Sequence, residues 1–336
     1  MLLAGTGAFL HAVAINDRRA MSRYLLVRGL LLIALEMTVS RVSWTFNLDF
    51  YNYTEANVLW VIGWSMIALA ALIHLPLRVI AVFGVVMIAG HNLMDYVPEA
   101  AVEAIRQSPL SGFWHVTYGP FSDFRFLGNG PRLVVLYTLV PWVGVMAAGY
   151  TFGVVMRFDD RRRRRWCLAI GLGLTALFIV LRGFNWYGNP WPWGNGGDLP
   201  PVLSFLAVNK YPASLQFLLM TLSPTIAVIP LLERARGALF DALTTFGRVP
   251  MFYYLLHLPL IHTVAVIISL VRTPESTPWL FFNHPLRNPP PPDGYTWSLP
   301  LLYVVTTLVV VMLYFPCRWY AARRARGPRT WFTTYI

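Results

Sequence analysis

The chain has one lysine, at position 210, against 26 arginines, and only two cysteines in 336 residues. Charged residues make up 12% of it, about half of the roughly 25% usual in soluble domains. So little charge cannot solvate the surface of a soluble protein of this length. Cys167 and Cys317 both fall at the expected cytoplasmic ends of helices, so no disulfide framework or thiolate metal site is implied. Walker A, G-x-G-x-x-G, H-E-x-x-H and G-x-S-x-G motifs are absent from any suitable context. Acidic residues are also scarce, leaving a formal net charge of +12. Nucleic-acid binding does not follow, because the arginines fall between apolar runs, where the positive-inside rule puts them.

What is abundant is apolar length. Hydrophobic residues make up 57% of the chain and aromatics 15%, and a membrane helix needs about 20 apolar residues. The expected fold class is all-α, a polytopic transmembrane helix bundle. Nine spans are expected, at roughly 1–16, 24–45, 57–75, 77–95, 133–156, 166–182, 212–232, 249–271 and 298–317. Alternate connections carry Arg18, Arg19 and Arg23; Arg78; Arg157 with Arg161 to Arg165; Arg234, Arg236 and Arg248; and the basic tail 318–336. The others, 46–57, 96–131, 184–201 and 273–297, are rich in aromatics or proline. Arginine-rich loops are cytoplasmic, so the C-terminus is expected inside and the aromatic loops outside. The chain reads as a single transmembrane domain, 1–336, of a multi-pass protein of a bacterial cytoplasmic (inner) membrane, with the lipid bilayer as its first partner. The first span, MLLAGTGAFLHAVAI, lacks a polar flank and the charged start of a signal peptide. It reads as the continuation of a bundle whose first helix lies upstream.

Ionisable groups inside spans cost about 2.5–3.5 kcal/mol at a helix centre, so they face a bundle interior or a wet cavity. Span 24–45 holds Arg28, Glu36 and Arg41, with Glu36 near mid-depth. A structural pair of Glu36 with a snorkelling arginine is the plainer alternative. Span 77–95 ends in AGHNLMDY, whose His91 and Asp95 are four apart and hence on one helix face. An aspartate holding a histidine is an arrangement for a general base. Span 249–271 holds His257 and His262 on either side of Pro259. At five apart they diverge by about 140°, and H-x-x-x-x-H is not a metal motif, so no metal is expected. Asn209 and Lys210, in NKYP, stand at the outer mouth of the span that follows, level with His91, Asp95, Arg41 and Arg182. Lysine is a compact charge whose pKa responds to burial, suited to a phosphate or carboxylate. A juxtamembrane anchor is the bland alternative.

Several stretches together carry a resemblance: LLAGTGAFL, LLVRGLLLIALEMTVSRVSWTFN, VIGWSMIALAALIHLPLR, AGHNLMD, LVPWVGVMAAGYTFG, LSFLAVNKYPASLQFLLMTLSP and TFGRVPMFYYLLHLPLIH. They resemble a bacterial family of multi-spanning proteins that is similar to the catalytic region of heparan-α-glucosaminide N-acetyltransferase, a lysosomal transmembrane enzyme. Asn209, Lys210 and Ser214 look like that enzyme's own pattern at this point. The resemblance implies an acetyl group taken from acetyl-CoA on the cytosolic side and delivered to a glucosamine amine on the far side. The acetyl-accepting histidine implied by the family lies before the stretch matching LLAGTGAFL, so none is assigned here.

The leading expectation is a transmembrane acyltransferase moving an acetyl or other acyl group from acyl-CoA to a sugar or envelope glycan. His91 oriented by Asp95 would be the base, and Asn209 and Lys210 would be donors to the oxyanion or the acceptor. Arg28 and Arg248 are candidates for the CoA phosphates by depth, with His257 lining the path between. The alternative is a transporter or lipid/solute-binding membrane protein without covalent chemistry, which intramembrane charge and a proline-broken helix suit equally. Acceptor, acyl group and oligomeric state, a homo-oligomer included, are not legible in the sequence.

Overall fold

A computed structural model describes residues 1–119, 122–125, 128–194, 199–286 and 289–326. The end of the expected basic tail, 327–336, lies outside the described residues. In chain order the elements are α1 (Leu2–Ile15), α2 (Arg18–Leu35), a π-helical turn (Glu36–Ser40), α3 (Arg41–Thr45), β1 (Thr54–Ala56), α4 (Val58–Leu72) and α5 (Leu77–Gly90). A 3-10 helix (His91–Tyr96), α6 (Glu99–Arg106), α7 (Ser111–Thr117), β2 (Ser122–Arg125), β3 (Arg132–Val135), α8 (Leu139–Met156) and α9 (Asp160–Gly183) follow. Then come α10 (Pro201–Leu206), α11 (Leu215–Leu232), α12 (Ala238–Arg248), α13 (Pro250–Arg272), two 3-10 turns (Pro274–Phe281 and His284–Leu286) and α14 (Leu299–Arg326). The three strands make one small sheet of order β1-β3-β2.

Six helices among the described residues are long and apolar enough to cross a membrane: Leu77–Tyr96, Leu139–Met156, Asp160–Gly183, Leu215–Leu232, Pro250–Arg272 and Leu299–Arg326. Leu2–Ile15 and Val58–Leu72 are apolar but shorter, at 14 and 15 residues. Expected span 24–45 is helical throughout its length, with a π turn opening at Glu36. Three boundaries differ from expectation. The last helix, α14, runs to Arg326, nine residues past the expected 317. Residues 132–135, RLVV, form a strand, and the helix starts only at Leu139 after Thr138; leucine and β-branched valine suit a ladder. The arginine run was expected in a loop but lies in the first turns of α9, because Asp159 caps the helix by accepting from Arg162 N–H at 3.0 Å. This mostly helical, apolar chain is an integral membrane protein.

The described residues fall into two compact units: Met1–Ile33, Ala56–Asn129 and Leu133–Arg234 make the first, and Ala34–Glu55, Gly130–Arg132 and Ala235–Ile336 the second. In the first unit α8 is apolar all round, and half of it is buried, as befits a core helix. It packs against α1, α4 and α5, while α9 packs against α11. Small residues allow these approaches: a Cβ placed on Gly29 would lie 2.6 Å from Gly63 O, and one on Gly63 would lie 2.6 Å from Gly29 O. Apolar lipid gives helices no hydrophobic reason to associate, so close backbone contact supplies the attraction. Thr6 Oγ1 adds an interhelical hydrogen bond to Gly149 O at 3.0 Å. In the second unit α13 packs against α14, α12, α3 and the 3-10 turn that follows it.

Candidate functional site

At one end of the first unit, the α5 helix tightens at Gly90 into 3-10 geometry. A 3-10 helix has three residues per turn, so i and i+3 eclipse. Asn92 and Asp95 therefore align, and His91 and Asp95 do not. Asn92 Nδ2 donates to Asp95 Oδ2 at 2.7 Å, and Tyr118 OH donates to Asp95 Oδ1 at 2.6 Å. Burial, then the bond to Asp95, raises the Tyr118 hydroxyl above its ordinary pKa.

The expected His91–Asp95 dyad is thus corrected. His91 is buried, with Nδ1 2.9 Å from Ile88 O and Nε2 2.8 Å from Ala213 O. Carbonyl oxygens only accept. Whichever nitrogen carries hydrogen, neither presents a free lone pair to a substrate. Both His91 ring nitrogens face backbone carbonyls, one of them just before α11.

The NKYPAS turn that leads into α11 is held from several sides. Leu215 N–H donates to Asn92 Oδ1 at 2.8 Å, across 123 residues of chain. Asn189 Oδ1 accepts from Asn209 N–H at 2.8 Å and from Ser214 Oγ at 3.1 Å. Asn209 Nδ2 reaches Pro212 O at 3.2 Å, and Ser214 Oγ caps the helix at Phe217 N–H, 3.1 Å. Gln216 N–H bonds Gly188 O at 2.9 Å while its Nε2 bonds Tyr187 O at 2.8 Å. Gly188 has φ +83°, and an added Cβ would meet Leu215 Cβ at 2.8 Å, so only glycine fits there.

Lys210 rides on this held turn. It is exposed, with Nζ 4.9 Å from the Tyr211 ring centre and 6.0 Å from that of Tyr137. Among the described residues no carboxylate pairs with it. Nearby Arg182 is different: its guanidinium is buried and donates to Trp191 O at 2.8 Å and to Ser204, Phe205 and Ala207 O, each at 2.9 Å. It closes its own loop and has little left for a ligand.

Four expected site residues, His91, Asp95, Asn209 and Lys210, therefore share one hydrogen-bonded neighbourhood. The other expected site residues have their own surroundings. Arg28, on α2 of the first unit, donates to Tyr24 OH at 2.6 Å. Glu36, Arg41, Arg248, His257 and His262 belong to the second unit. Arg41, expected level with Lys210, is buried and bonds Tyr53 O, Thr45 Oγ1 (2.6 Å), Asn47 Oδ1 (2.9 Å) and Asp49 O (2.8 Å). Like Arg182, it folds the loop beside it. Glu36 is 1% exposed and opens the π turn, a distortion that recurs at functional sites. Arg248 is exposed at the end of α12. The His257 ring lies between Tyr253 and Tyr254, with centres 5.6 and 4.9 Å away. His262 is 6% exposed, against Phe46 at 4.2 Å and His284 at 5.5 Å.

Asn92, Asn189, Gln216, Tyr118 and Tyr187 were not singled out from sequence. Gln216 left a signal, as an amide in the first turn of an apolar run. The asparagines left none, since loop asparagine is ordinary.

The bundle and this neighbourhood define a polytopic membrane protein with a polar cluster at one end of a helical unit. The family described as heparan-alpha-glucosaminide N-acetyltransferase, catalytic, matches residues 1–183, more than half of the chain, and the chain belongs to that family. No curated protein and no solved structure matches it. The matched part holds His91 and Asp95 and stops before Asn209 and Lys210.

Proposed function

We propose that this protein is a transmembrane acyltransferase that moves an acetyl or other acyl group from cytoplasmic acyl-CoA, acetyl-CoA first, to a sugar or envelope glycan on the outer face of a bacterial inner membrane. The observation that carries the reading is the hydrogen-bonded chain Tyr118–Asp95–Asn92–Leu215, which joins a carboxylate in the family-matched part to the turn bearing Lys210. Asp95 is the exposed carboxylate of this cluster, and it is the group here that can take a proton from an attacking amine or hydroxyl. As that nucleophile bonds to the acyl carbon, the thioester C–S bond breaks and the CoA thiolate leaves.

Lys210 is the cation here with N–H donors still available, for an anionic group of the acceptor or for the developing oxyanion. Arg28, a candidate by depth, would serve the CoA phosphates at the cytoplasmic side. The lipid bilayer is the surrounding partner. Purified protein should melt higher with CoA or acetyl-CoA than without, since a ligand that binds only the folded state stabilises it. No stabilisation at millimolar CoA would favour a transporter or solute-binding protein without covalent chemistry.

A further inference from the structure

We propose that Asn92 is a positioning residue: it ties the Lys210 turn to the Asp95 carboxylate and thereby sets the distance between the two groups. The kinetic part of this proposal rests on the acyltransferase reading; the structural part does not.

Asn92 is 3% exposed, and both ends of its amide are engaged. Oδ1 accepts from Leu215 N–H at 2.8 Å and Nδ2 donates to Asp95 Oδ2 at 2.7 Å. Leu215 N–H is one of the first-turn amides that a helix cannot satisfy from within. Ser214 Oγ serves Phe217 N–H, so the cap for Leu215 comes from a different helix. On the other side Asn189 Oδ1 holds Asn209 N–H and Ser214 Oγ. Lys210 therefore stands between two pinned points, positions 209 and 214–215. It has no ion pair of its own among the described residues to hold it.

The chemistry of position 92 is restrictive. Its side chain must accept from a backbone N–H and donate to a carboxylate at once, which a side-chain amide does. A carboxylate there keeps the acceptor but sets an oxygen against Asp95 where the structure has a 2.7 Å hydrogen bond. A hydrocarbon of similar size leaves both Leu215 N–H and Asp95 Oδ2 without this partner. His91 cannot substitute, because its ring is already engaged with Ala213 O. An exchange of the two side chains, Asn92→Asp with Asp95→Asn, reverses the second hydrogen bond and preserves the first.

The test is amide hydrogen exchange across 205–217 in the purified full chain, with melting curves and transfer kinetics alongside. Asn92→Leu and Asn92→Asp should speed exchange at Leu215 about ten- to hundredfold, the loss of one or two hydrogen bonds. The double exchange should return it to within about threefold of the wild type. In an acyl-transfer assay, Asn92→Leu should lower kcat/KM for the acceptor by a similar factor with KM for the CoA donor unchanged. The double variant should stay poorly active despite its restored turn, because its carboxylate has moved. Unchanged Leu215 exchange in Asn92→Leu overturns the proposal, and so does a folded double variant whose turn stays loose. If Asn92→Leu does not fold, the double exchange and Tyr118→Phe, which leaves the Asn92 bonds in place and should leave Leu215 exchange unchanged, still decide it. A wild type with no transfer activity would sink the acyltransferase reading while the exchange data still judge the clamp.

Discussion

Replacement of Lys210 separates an anchor from a ligand-binding cation, because the two roles differ in what they cost. Its ammonium is exposed and lies over two tyrosine rings, at 4.9 and 6.0 Å. Cation–π contacts of this kind are worth about 0.5–1 kcal/mol at exposed sites. Lys210→Ala should therefore lower the melting temperature by no more than about 2–4 °C. Lys210→Arg should lower it less, since a guanidinium also stacks on tyrosine. The functional cost is larger. A hydrogen bond to a charged partner is worth about 1.5–3 kcal/mol, so losing one made to the acceptor should reduce kcat/KM about 10- to 150-fold. The planar guanidinium does not reproduce a compact point donor, so the arginine variant should fall with the alanine one. The assay is transfer from labelled acetyl-CoA, beside detergent melting curves for the same preparations. A Lys210→Arg protein with wild-type turnover would refute the reasoning and leave Lys210 as an anchor.

Arg182→Met removes four donors from the carbonyls of Trp191, Ser204, Phe205 and Ala207. It should destabilise by about 1.5–3 kcal/mol or more, the worth of at least one hydrogen bond to a charged group, seen as faster hydrogen exchange in 191–194 and 199–207. Gly29→Ala should destabilise by about 1–3 kcal/mol, as overpacking does, because its Cβ would lie 2.6 Å from Gly63 O, whereas Gly7→Ala, with open space beside it, should be neutral in the same melting assay. Burial lowers the pKa of His284 below its ordinary value, so the folded state binds that proton less readily than the unfolded chain. The stability this withholds is present above about pH 6.5 and is lost as pH falls below it; His284→Gln should shrink the drop in melting temperature between pH 7.5 and 5.5. For orientation, a cysteine at exposed Gln107 in a protein lacking Cys167 and Cys317 should react with an impermeant maleimide in spheroplasts, and one at exposed Arg161 only after permeabilisation. The reverse pattern would invert the topology.

The apolar runs determined that this chain is a helical membrane protein, because about 20 residues without charge have few other stable places to be. The same runs located the long apolar helices, but not the shorter α6, α7, α10 and α12. They misjudged three ends: Asp159 drew the arginine run into α9, Leu133 and the valines drew 132–135 into a strand, and α14 runs on to Arg326. Sequence also marked His91, Asp95, Asn209 and Lys210, which the fold brings into one neighbourhood, since uncommon polar groups beside a bilayer need partners. It did not determine their pairing. Spacing of four promises a shared face only if the helix remains α, and at Gly90 it tightens, so Asp95 turns to Asn92 and His91 to Ala213 O. Nor did sequence distinguish Lys210 from Arg182 and Arg41 as sources of positive charge. Only the tertiary structure shows both guanidiniums bonded to backbone carbonyls of neighbouring loops, because which oxygens reach a charge is settled by how distant segments fold back, and no local pattern encodes that.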